Sequence, residues 1–315
     1  MESPSLSNAE VQTGSPALFQ QGLGQGRLAL GTAGLGGIWA GSHTHQSVDA
    51  LLWSLEQGLS VWDTAPAYGS AEVSIGSALK QWRGPLPVIS TKVGRTHDAQ
   101  PPSRSYQPEV LRATLSKSLD RMGVDSVDIL FLHEPEKLER SSRGAVLDEL
   151  LRLKADGLAR HLGLGGGWGK AWDGLLSSHA FSAAIVFLSL DACCLDSMIH
   201  DVPRLEAARV AIYGGSPLHM GLLATLSAEK APWAKPEALL GMEKLKALSA
   251  ELGISSVELA HRFVYSLRVL DRVLIGPRDL NELKASVRDF QEGVLPRAIF
   301  HQIYDDALAR AVPRE

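Results

Sequence analysis

The strongest constraint on the fold of this chain is a regular alternation of short apolar runs with longer segments of helical periodicity. In one such unit, Pro108 opens a helical pattern, Gly123 ends it, and an apolar run from Val127 to Leu132 follows. The apolar runs lie at residues 28–30, 58–62, 86–91, 127–132, 161–164, 183–190, 209–213 and 272–275. Strands that alternate with helices form a parallel sheet, and about eight units are enough to close it. The sequence therefore predicts an α/β fold, a single-domain (β/α)8 TIM barrel at residues 17–315, with residues 1–16 as a mobile tail.

Composition and charge restrict the partners of such a barrel. The 315 residues are 45% hydrophobic and 21% charged, with a net charge of −4 and a pI near 6.2, so neither nucleic acid nor an anionic membrane is expected as a partner. The two cysteines, Cys193 and Cys194, are adjacent and cannot easily pair with each other, which favours a reducing compartment. Because the N-terminal stretch lacks a secretory signal and no run is long enough to span a bilayer, we expect a cytoplasmic protein with a small-molecule partner.

Three of the predicted strands end in an ionisable side chain. These residues are Asp63, Lys92 and His133, and the turn after Asp63 presents Tyr68. Taken singly, a strand-end lysine is usually a solvated charge and a lone histidine is usually structural. In a parallel barrel, however, the carboxyl ends of all strands open onto one mouth, where active sites lie. The four residues, called here the Tyr68 cluster, therefore predict a proton-transfer site.

The chemistry of the Tyr68 cluster suits a reaction at a carbonyl group. Tyr68 is the candidate general acid, although a free phenol has a pKa of about 10, and a nearby ammonium from Lys92 is expected to favour the phenolate. Asp63 is expected to hold Lys92 in place and keep it charged. His133 is expected to donate a hydrogen bond to the carbonyl oxygen. In the opposite direction Tyr68 would act as the base.

The order and context of these motifs resemble the aldo-keto reductase superfamily. The motifs are Asp63-Thr64-Ala65, Tyr68-Gly69, Ser90-Thr91-Lys92-Val93 and Leu132-His133, and the resemblance extends from about residue 28 to residue 290. It implies a nicotinamide cofactor, NADP(H) or alternatively NAD(H), and hydride transfer to or from a carbonyl or alcohol, with an aldehyde, a ketone or an aldose as substrate. It does not identify the substrate or the oligomeric state.

Candidate cofactor residues come from a glycine-rich loop and from the resemblance. The loop after the first strand, with Gly31 and Thr32, is expected to let backbone approach a ligand. The resemblance places further cofactor contacts at Gly165, Gly166, Ser216, Leu218, Gly276, Arg278 and Leu283. Arg278 is the candidate for a 2′-phosphate.

The chain departs from the superfamily pattern at several of these positions. Gly165-Gly166 stands where reductases of the superfamily usually have Ser-Asn to hold the carboxamide, and Gly215 stands where many have a tyrosine. Tyr213, earlier in the same run, is expected to face another way. Ala285-Ser286 replaces an acidic-amide pair. The glycine before Ser-Pro-Leu also resembles the aldose 1-dehydrogenase branch, several members of which favour NAD.

Several further predictions and alternatives concern the barrel mouth. Trp39, Tyr106 and Trp168 are candidate substrate-pocket walls, although each could instead pack under a loop. The His43-Thr44-His45 segment lacks a third ligand nearby, so no metal site is predicted. The glycine substitutions leave open a second function: a catalytically weakened nicotinamide-binding barrel that acts as a sensor or a partner-binding subunit.

Overall fold

The computed structural model describes residues 26–39, 44–96, 103–167 and 171–311, and within these ranges eight parallel strands close into a barrel. The barrel strands run in the order β1-β10-β9-β8-β7-β6-β3-β2, where β1 is Leu28–Gly31, β2 Val61–Asp63, β3 Val88–Val93, β6 Val127–His133, β7 Ala159–Gly166, β8 Phe181–Phe187, β9 Ala211–Gly215 and β10 Arg272–Ile275. The predicted (β/α)8 barrel is thereby confirmed. The predicted tail at residues 1–16 lies outside the described residues.

Helices follow the strands around the outside of the barrel. They are α1 Thr44–Glu56, α2 Ala71–Gln81, α3 Pro108–Met122, α4 Arg143–Ala155, α5 Ala171–Leu176, α6 Asp196–His200, α7 Val202–Ala207, α8 Pro236–Leu252, α9 Ser256–Ser266, α10 Leu280–Gln291 and α11 Arg297–Ala309. Two short antiparallel strands, β4 Arg95–Thr96 and β5 Ser103–Arg104, form a small sheet after β3. Within the described ranges, no helix is both long and apolar enough to cross a membrane.

Strand alternation divides the core into two parts. On β6, Ile129 and Phe131 belong to the cluster inside the barrel, whereas Leu130 and Leu132 pack in the larger layer between the strands and the helices. The inner cluster is filled by Ala29, Val61, Ile129, Phe131, Ala183, Ile185, Ala211, Tyr213 and Leu274.

The same alternation determines which strand-end residues face the interior. His133 lies two residues beyond Phe131, and Asp63 lies two residues beyond the inward-facing Val61. Residues two apart on a strand share a face, so both polar side chains belong to the inner face at the carboxyl end. The apolar barrel interior thus ends in a polar layer at the mouth.

Candidate active site

The turn that carries Tyr68 is fixed by backbone-to-backbone packing between two loops. A Cβ atom on Gly36 would lie 1.8 Å from the carbonyl oxygen of Tyr68, and one on Gly69 would lie 2.2 Å from the carbonyl oxygen of Gly36. Gly69 also has a φ of +56°, which favours glycine. The backbone N–H of Ser70 donates to Gly36 at 3.1 Å. Glycine at these two positions therefore lets the loops after β1 and β2 meet and places Tyr68.

The glycine-rich loop after β1 packs closely against the loop after β10. A Cβ on Gly31 would approach the Ile275 carbonyl oxygen at 3.2 Å, and one on Gly34 would approach the Pro277 carbonyl oxygen at 2.4 Å. Thr32 is fully buried, and its hydroxyl donates to the Asp63 carbonyl oxygen at 3.0 Å. The loop packs against neighbouring backbone, and the Thr32 hydroxyl supports the end of β2.

Lys92 and Asp63 form the buried base of the Tyr68 cluster. The Nζ atom of Lys92 lies 2.5 Å from Oδ2 of Asp63 and donates a second hydrogen bond to the carbonyl oxygen of Thr64 at 2.9 Å. The other carboxylate oxygen of Asp63 accepts from the Ser90 hydroxyl at 2.8 Å. Each group therefore has a second partner, which is what a buried ion pair needs to offset its desolvation.

Tyr68 and His133 complete the cluster on its solvent side. The Nζ atom of Lys92 lies 4.9 Å from the centre of the Tyr68 ring. The rings of Tyr68 and His133 meet edge to face, with their centroids 6.2 Å apart. Lys92 and His133 are buried, whereas Tyr68 is partly exposed. The structure thus brings the four predicted residues together, and Tyr68 is the most exposed of them.

Burial and charge act in opposite directions on the Tyr68 phenol. Burial raises the pKa of Tyr68, and the Lys92 charge lowers it, but the net pKa lies above the ordinary value. For Lys92, burial lowers the pKa, whereas Asp63 and Tyr68 raise it, and the net pKa lies above its ordinary value. Lys92 is therefore a charged ammonium beside a protonated phenol. The Lys92 charge thus favours the phenolate, as predicted, but burial has the larger effect on the pKa of Tyr68.

His133 is held in its neutral form. Burial, followed by the charges of Lys92, Arg95 and Arg104, lowers the pKa of His133 well below its ordinary value. Its Nδ1 atom is buried and has no hydrogen-bond partner among the described residues. A buried polar atom without a partner is costly, so this nitrogen marks a place where a ligand or water would be stabilised.

The Tyr106 hydroxyl holds the backbone at the end of β6 rather than facing the barrel mouth. The Tyr106 hydroxyl donates to the carbonyl oxygens of His133 at 3.0 Å and Glu134 at 2.6 Å. A Cβ on Gly94 would lie 2.7 Å from the Tyr106 ring. Of the two alternatives for Tyr106, the structure favours packing under a loop over a pocket wall. Trp39 remains about half exposed at the mouth, and Trp168 lies outside the described residues.

Glu134, which the sequence did not single out, forms a charged group beside the Tyr68 cluster. The Glu134 carboxylate pairs with Arg95 at 3.1 Å and with Arg104. Glu134 has a φ of +53°, which is uncommon for a residue other than glycine. The two arginines come from β4 and β5, whose antiparallel pairing gives no clear sequence signal. Their charge contributes to the low pKa of His133.

The two glycines at the end of β7 differ in how much space surrounds them. A Cβ on Gly165 would meet only ordinary contacts, the nearest being Ile185 at 3.7 Å. A Cβ on Gly166 would lie 2.7 Å from Oε2 of Glu136. That carboxylate oxygen is buried without a partner in the described part of the chain, and burial raises the pKa of Glu136. Glu136, another residue that the sequence did not reveal, thus borders the space that a larger residue 166 would need.

The orientation predicted for Tyr213 is wrong. Tyr213 and Gly215 are two residues apart on β9 and therefore share the inward face. Tyr213 lies one layer deeper, almost fully buried, with its ring centroid 6.1 Å from that of Phe131. Its ring fills the barrel interior, and a Cβ on Gly215 would lie 3.2 Å from Cγ2 of Ile185.

The remaining candidate cofactor residues fall into different environments. The Ser216 hydroxyl accepts from the backbone N–H of Met220 at 2.8 Å, and Leu218 is partly buried. Nothing lies within 4 Å of a Cβ built on Gly276. Leu283 is fully buried in the core, so the structure does not place its side chain where a cofactor could touch it.

Arg278 is already bound to a carboxylate. Its Nε donates to Oε1 of Glu282 at 2.8 Å, its Nη2 also contacts Oε1, and its backbone N–H donates to Oε2 at 2.8 Å. The Asp279 carboxylate caps the start of α10 by accepting from the Glu282 N–H at 2.9 Å. The first turn of α10 therefore carries two carboxylates beside one guanidinium.

Comparisons with known proteins agree with this fold. A model of the Aldo/keto reductase family matches residues 27–305. L-galactose dehydrogenase from Arabidopsis thaliana is 25% identical over 285 residues, which cover 86% of each chain. The NADH-specific methylglyoxal reductase of Escherichia coli is 32% identical over 157 residues, covering 44% of this chain and 47% of that protein.

Solved structures show the same fold. A glycerol dehydrogenase from Gluconobacter oxydans has a TM-score of 0.73 at 24% identity, covering 92% of this chain and 93% of its own. An aldo-keto reductase from Bacillus halodurans has a TM-score of 0.76 at 19% identity, with 90% and 92% covered. Because the family model spans most of the sequence, the chain belongs to the aldo/keto reductase family and is an oxidoreductase of carbonyl and alcohol groups.

Proposed function

We propose that the chain transfers hydride between a nicotinamide cofactor and a small carbonyl or alcohol substrate, with Tyr68 as the general acid and base. The observation that carries the proposal is the convergence of Tyr68, charged Lys92 and neutral His133 at the barrel mouth. Aldose oxidation is the favoured reaction, because L-galactose dehydrogenase is similar over 86% of each chain. Reduction of a small aldehyde is the alternative, because a methylglyoxal reductase is also similar.

Each residue of the Tyr68 cluster has its own role in the proton transfer. A bound nicotinamide supplies or accepts the hydride. In the reducing direction, the Tyr68 hydroxyl gives its proton to the substrate oxygen as the carbonyl π electrons move onto that oxygen. Lys92 stabilises the phenolate that results, because its ammonium is held beside the ring by Asp63. The neutral His133 donates a hydrogen bond to the same oxygen.

The oxidising direction uses the same groups in reverse. Tyr68 must first lose its proton and then accept one from the substrate hydroxyl. Its raised pKa makes the base form scarce near neutral pH, whereas the acid form is abundant. The resting cluster is thus prepared for reduction, and the oxidation that we favour would depend more strongly on pH.

The residues at the mouth suggest how the cofactor is held. Gly165 leaves room on the inward face, and the unpaired oxygen of Glu136 would accept a hydrogen bond from a carboxamide N–H₂. These features fit a flat ring and its amide at the end of β7. They offer a replacement for the Ser-Asn pair that the chain lacks.

The start of α10 favours NAD(H), the alternative in the sequence prediction, over NADP(H). Arg278 is engaged by Glu282, and Asp279 adds a further negative charge. A 2′-phosphate would have to compete with Glu282 for the guanidinium and lie near two carboxylates. A ribose 2′-hydroxyl would instead find a carboxylate acceptor in Glu282.

A spectrophotometric assay tests the proposal. Purified wild-type protein is expected to reduce NAD⁺ with L-galactose or related aldoses, or to oxidise NADH with methylglyoxal. Tyr68→Phe should reduce kcat by about 10²- to 10⁴-fold, the range of a general acid or base, while nucleotide binding persists. If the variant matched the wild type, Tyr68 would not be the proton donor.

The same assay addresses the sensor alternative, which rests on the glycines at positions 165, 166 and 215. A sensor would bind the nucleotide, as followed by quenching of tryptophan fluorescence, without turning over any carbonyl or alcohol. Nucleotide binding with turnover that depends on Tyr68 would exclude a purely sensing role.

A further inference from the structure

Away from the Tyr68 cluster, three ligand-bearing side chains meet between the segments that follow β8 and β9. A carboxylate oxygen of Asp191, the sulfur of Cys193 and a ring nitrogen of His219 all lie within 4.8 Å of one another, and all three residues are buried. We propose that these residues, called here the Asp191 site, bind a divalent transition-metal ion, with Zn²⁺ as the best match. Oxygen, sulfur and imidazole nitrogen together form a donor set typical of zinc.

Two of the three ligands are already oriented. The Nδ1 atom of His219 lies 2.7 Å from Oδ2 of Asp191, and Oδ1 of Asp191 accepts from the backbone N–H groups of Cys193 at 2.8 Å and Cys194 at 3.1 Å. The His219 ring stacks on Trp233, with centroids 5.8 Å apart. Because these contacts fix the carboxylate and the imidazole, binding an ion would cost little additional ordering.

The segment that presents His219 has an unusual backbone. Ser216, His219 and Met220 have φ values of +64°, +47° and +52°, a region uncommon for residues other than glycine. Such conformations persist where surrounding contacts enforce them, and they concentrate at ligand sites. An ion shared between Asp191 and His219 would supply a contact of this kind, because it would cross-link the segment after β8 to the segment after β9.

A cavity beside the site provides room for the fourth ligand. It has a volume of about 90 Å³ and is lined by Leu188, Cys193, Cys194, His219, Trp233 and Lys235, among others. A cavity of this size can hold the single water that would complete a tetrahedral site.

Lys235 and Arg310, the cations around the cavity, are each paired with a carboxylate. Lys235 pairs with Asp196 at 3.2 Å, and Arg310 pairs with Asp306. When the ion binds, the sulfur–metal bond replaces the S–H bond of Cys193, and the thiol proton passes to solvent. Ion binding must also weaken the hydrogen bond between Asp191 and His219, because both side chains would then bind the ion.

Cobalt provides a direct readout of the proposed sulfur ligand. The full chain, freed of metal with a chelator, is titrated with Co²⁺ and followed by absorption spectroscopy, and Zn²⁺ is then added as competitor. We expect saturation near one equivalent per chain, a thiolate-to-cobalt charge-transfer band, and loss of that band as Zn²⁺ replaces Co²⁺. Zn²⁺ should also raise the melting temperature, because the ion binds the folded chain.

Two cysteine variants distinguish the Asp191 site from other metal binding. Cys193→Ser should abolish the charge-transfer band and weaken Zn²⁺ binding by at least about tenfold. The adjacent Cys194→Ser should retain the band and the wild-type Zn²⁺ affinity. A wild-type chain without the band would overturn the proposal, even if Cys193→Ser failed to fold. Equal Zn²⁺ affinity in the wild type and Cys193→Ser would overturn it as well.

Discussion

The ammonium of Lys92 lies 2.5 Å from Oδ2 of Asp63, and their side chains are only 3% and 5% exposed. Removing one member of a buried ion pair leaves an unpaired buried charge, at a cost of about 3–5 kcal/mol. We therefore expect Asp63→Asn to lower the free energy of unfolding by about that amount and to lower the pKa of Lys92. Denaturant unfolding monitored by circular dichroism measures the first effect.

The exposed pair of Asp173 and Arg204 is the matched control for this change. Its atoms lie 3.0 Å apart, but the two side chains are 52% (Arg204) and 48% (Asp173) exposed, so Asp173→Asn should cost at most about 1 kcal/mol. Similar losses in Asp63→Asn and Asp173→Asn would show that burial does not govern the Lys92 pair.

Removing the hydroxyl of Tyr106 is expected to disturb the active site without touching the substrate. Tyr106→Phe removes the hydroxyl that donates to the carbonyl oxygens of His133 and Glu134, of which Glu134 keeps the backbone N–H of Lys137 as a donor. The free energy of unfolding should fall by about 1–3 kcal/mol, and kcat should fall because His133 loses a positional support. Tyr304→Phe, which removes the hydroxyl of a partly buried tyrosine on α11, is the control. An unchanged kcat in Tyr106→Phe would contradict the supporting role of Tyr106.

The barrel and the four cluster residues were predictable because they depend on local periodicity. Strand alternation alone puts Asp63 and His133 on the inner face, and parallel strands bring their ends to one mouth. The positions of Glu136 and His219 were not predictable, because each depends on contacts between loops that are distant in the sequence. The raised pKa of Tyr68 was also missed, since the degree of burial that outweighs Lys92 is a tertiary property.

The raised pKa of Tyr68 predicts different pH profiles for the two reaction directions. Oxidation needs the phenolate, so kcat for an aldose should keep rising with pH through the neutral range and into the alkaline range. Reduction needs the phenol, so its kcat should be nearly level across the same range. Steady-state rates measured from about pH 6 to about pH 10, a range that covers the ordinary pKa values of histidine and tyrosine, test this prediction. An oxidation rate that levels off near neutral pH would contradict it.

Stability should depend on pH through His133. The pKa of His133 in the folded chain lies well below its ordinary value, so below about pH 6.5 the unfolded chain binds a proton that the folded chain does not. The free energy of unfolding should therefore fall as the pH drops below that value, with a slope of at most about 1.4 kcal/mol per pH unit.

The difference between the wild type and His133→Gln isolates this contribution. His219, whose pKa is lowered by burial but raised overall by Asp191, adds stability below its unfolded pKa and acts in the opposite direction. Because His219 is present in both proteins, its contribution cancels in the comparison. The wild type should lose more stability than His133→Gln between about pH 6.5 and pH 5, and parallel curves would show that His133 is protonated in the folded chain.

Cofactor preference should change when Glu282 loses its charge. In the wild type, Glu282 accepts from both the side chain and the backbone N–H of Arg278, and we expect NAD⁺ to bind more tightly than NADP⁺. Glu282→Gln keeps the shape but frees the guanidinium charge to meet a 2′-phosphate, for which charge-assisted hydrogen bonds to arginine are strong. A gain of about 1.5–3 kcal/mol, the range for hydrogen bonds to charged groups, would correspond to roughly 10- to 150-fold tighter NADP⁺ binding.

Isothermal titration with both nucleotides measures this change, and the double variant Glu282→Gln with Arg278→Gln is the matched control. NADP⁺ affinity should rise in the single variant and fall again in the double variant, while NAD⁺ affinity should weaken modestly in both because the carboxylate acceptor is lost. If the wild type already bound NADP⁺ more tightly than NAD⁺, the ion pair between Arg278 and Glu282 would have to open on binding, and Glu282 would not determine the cofactor.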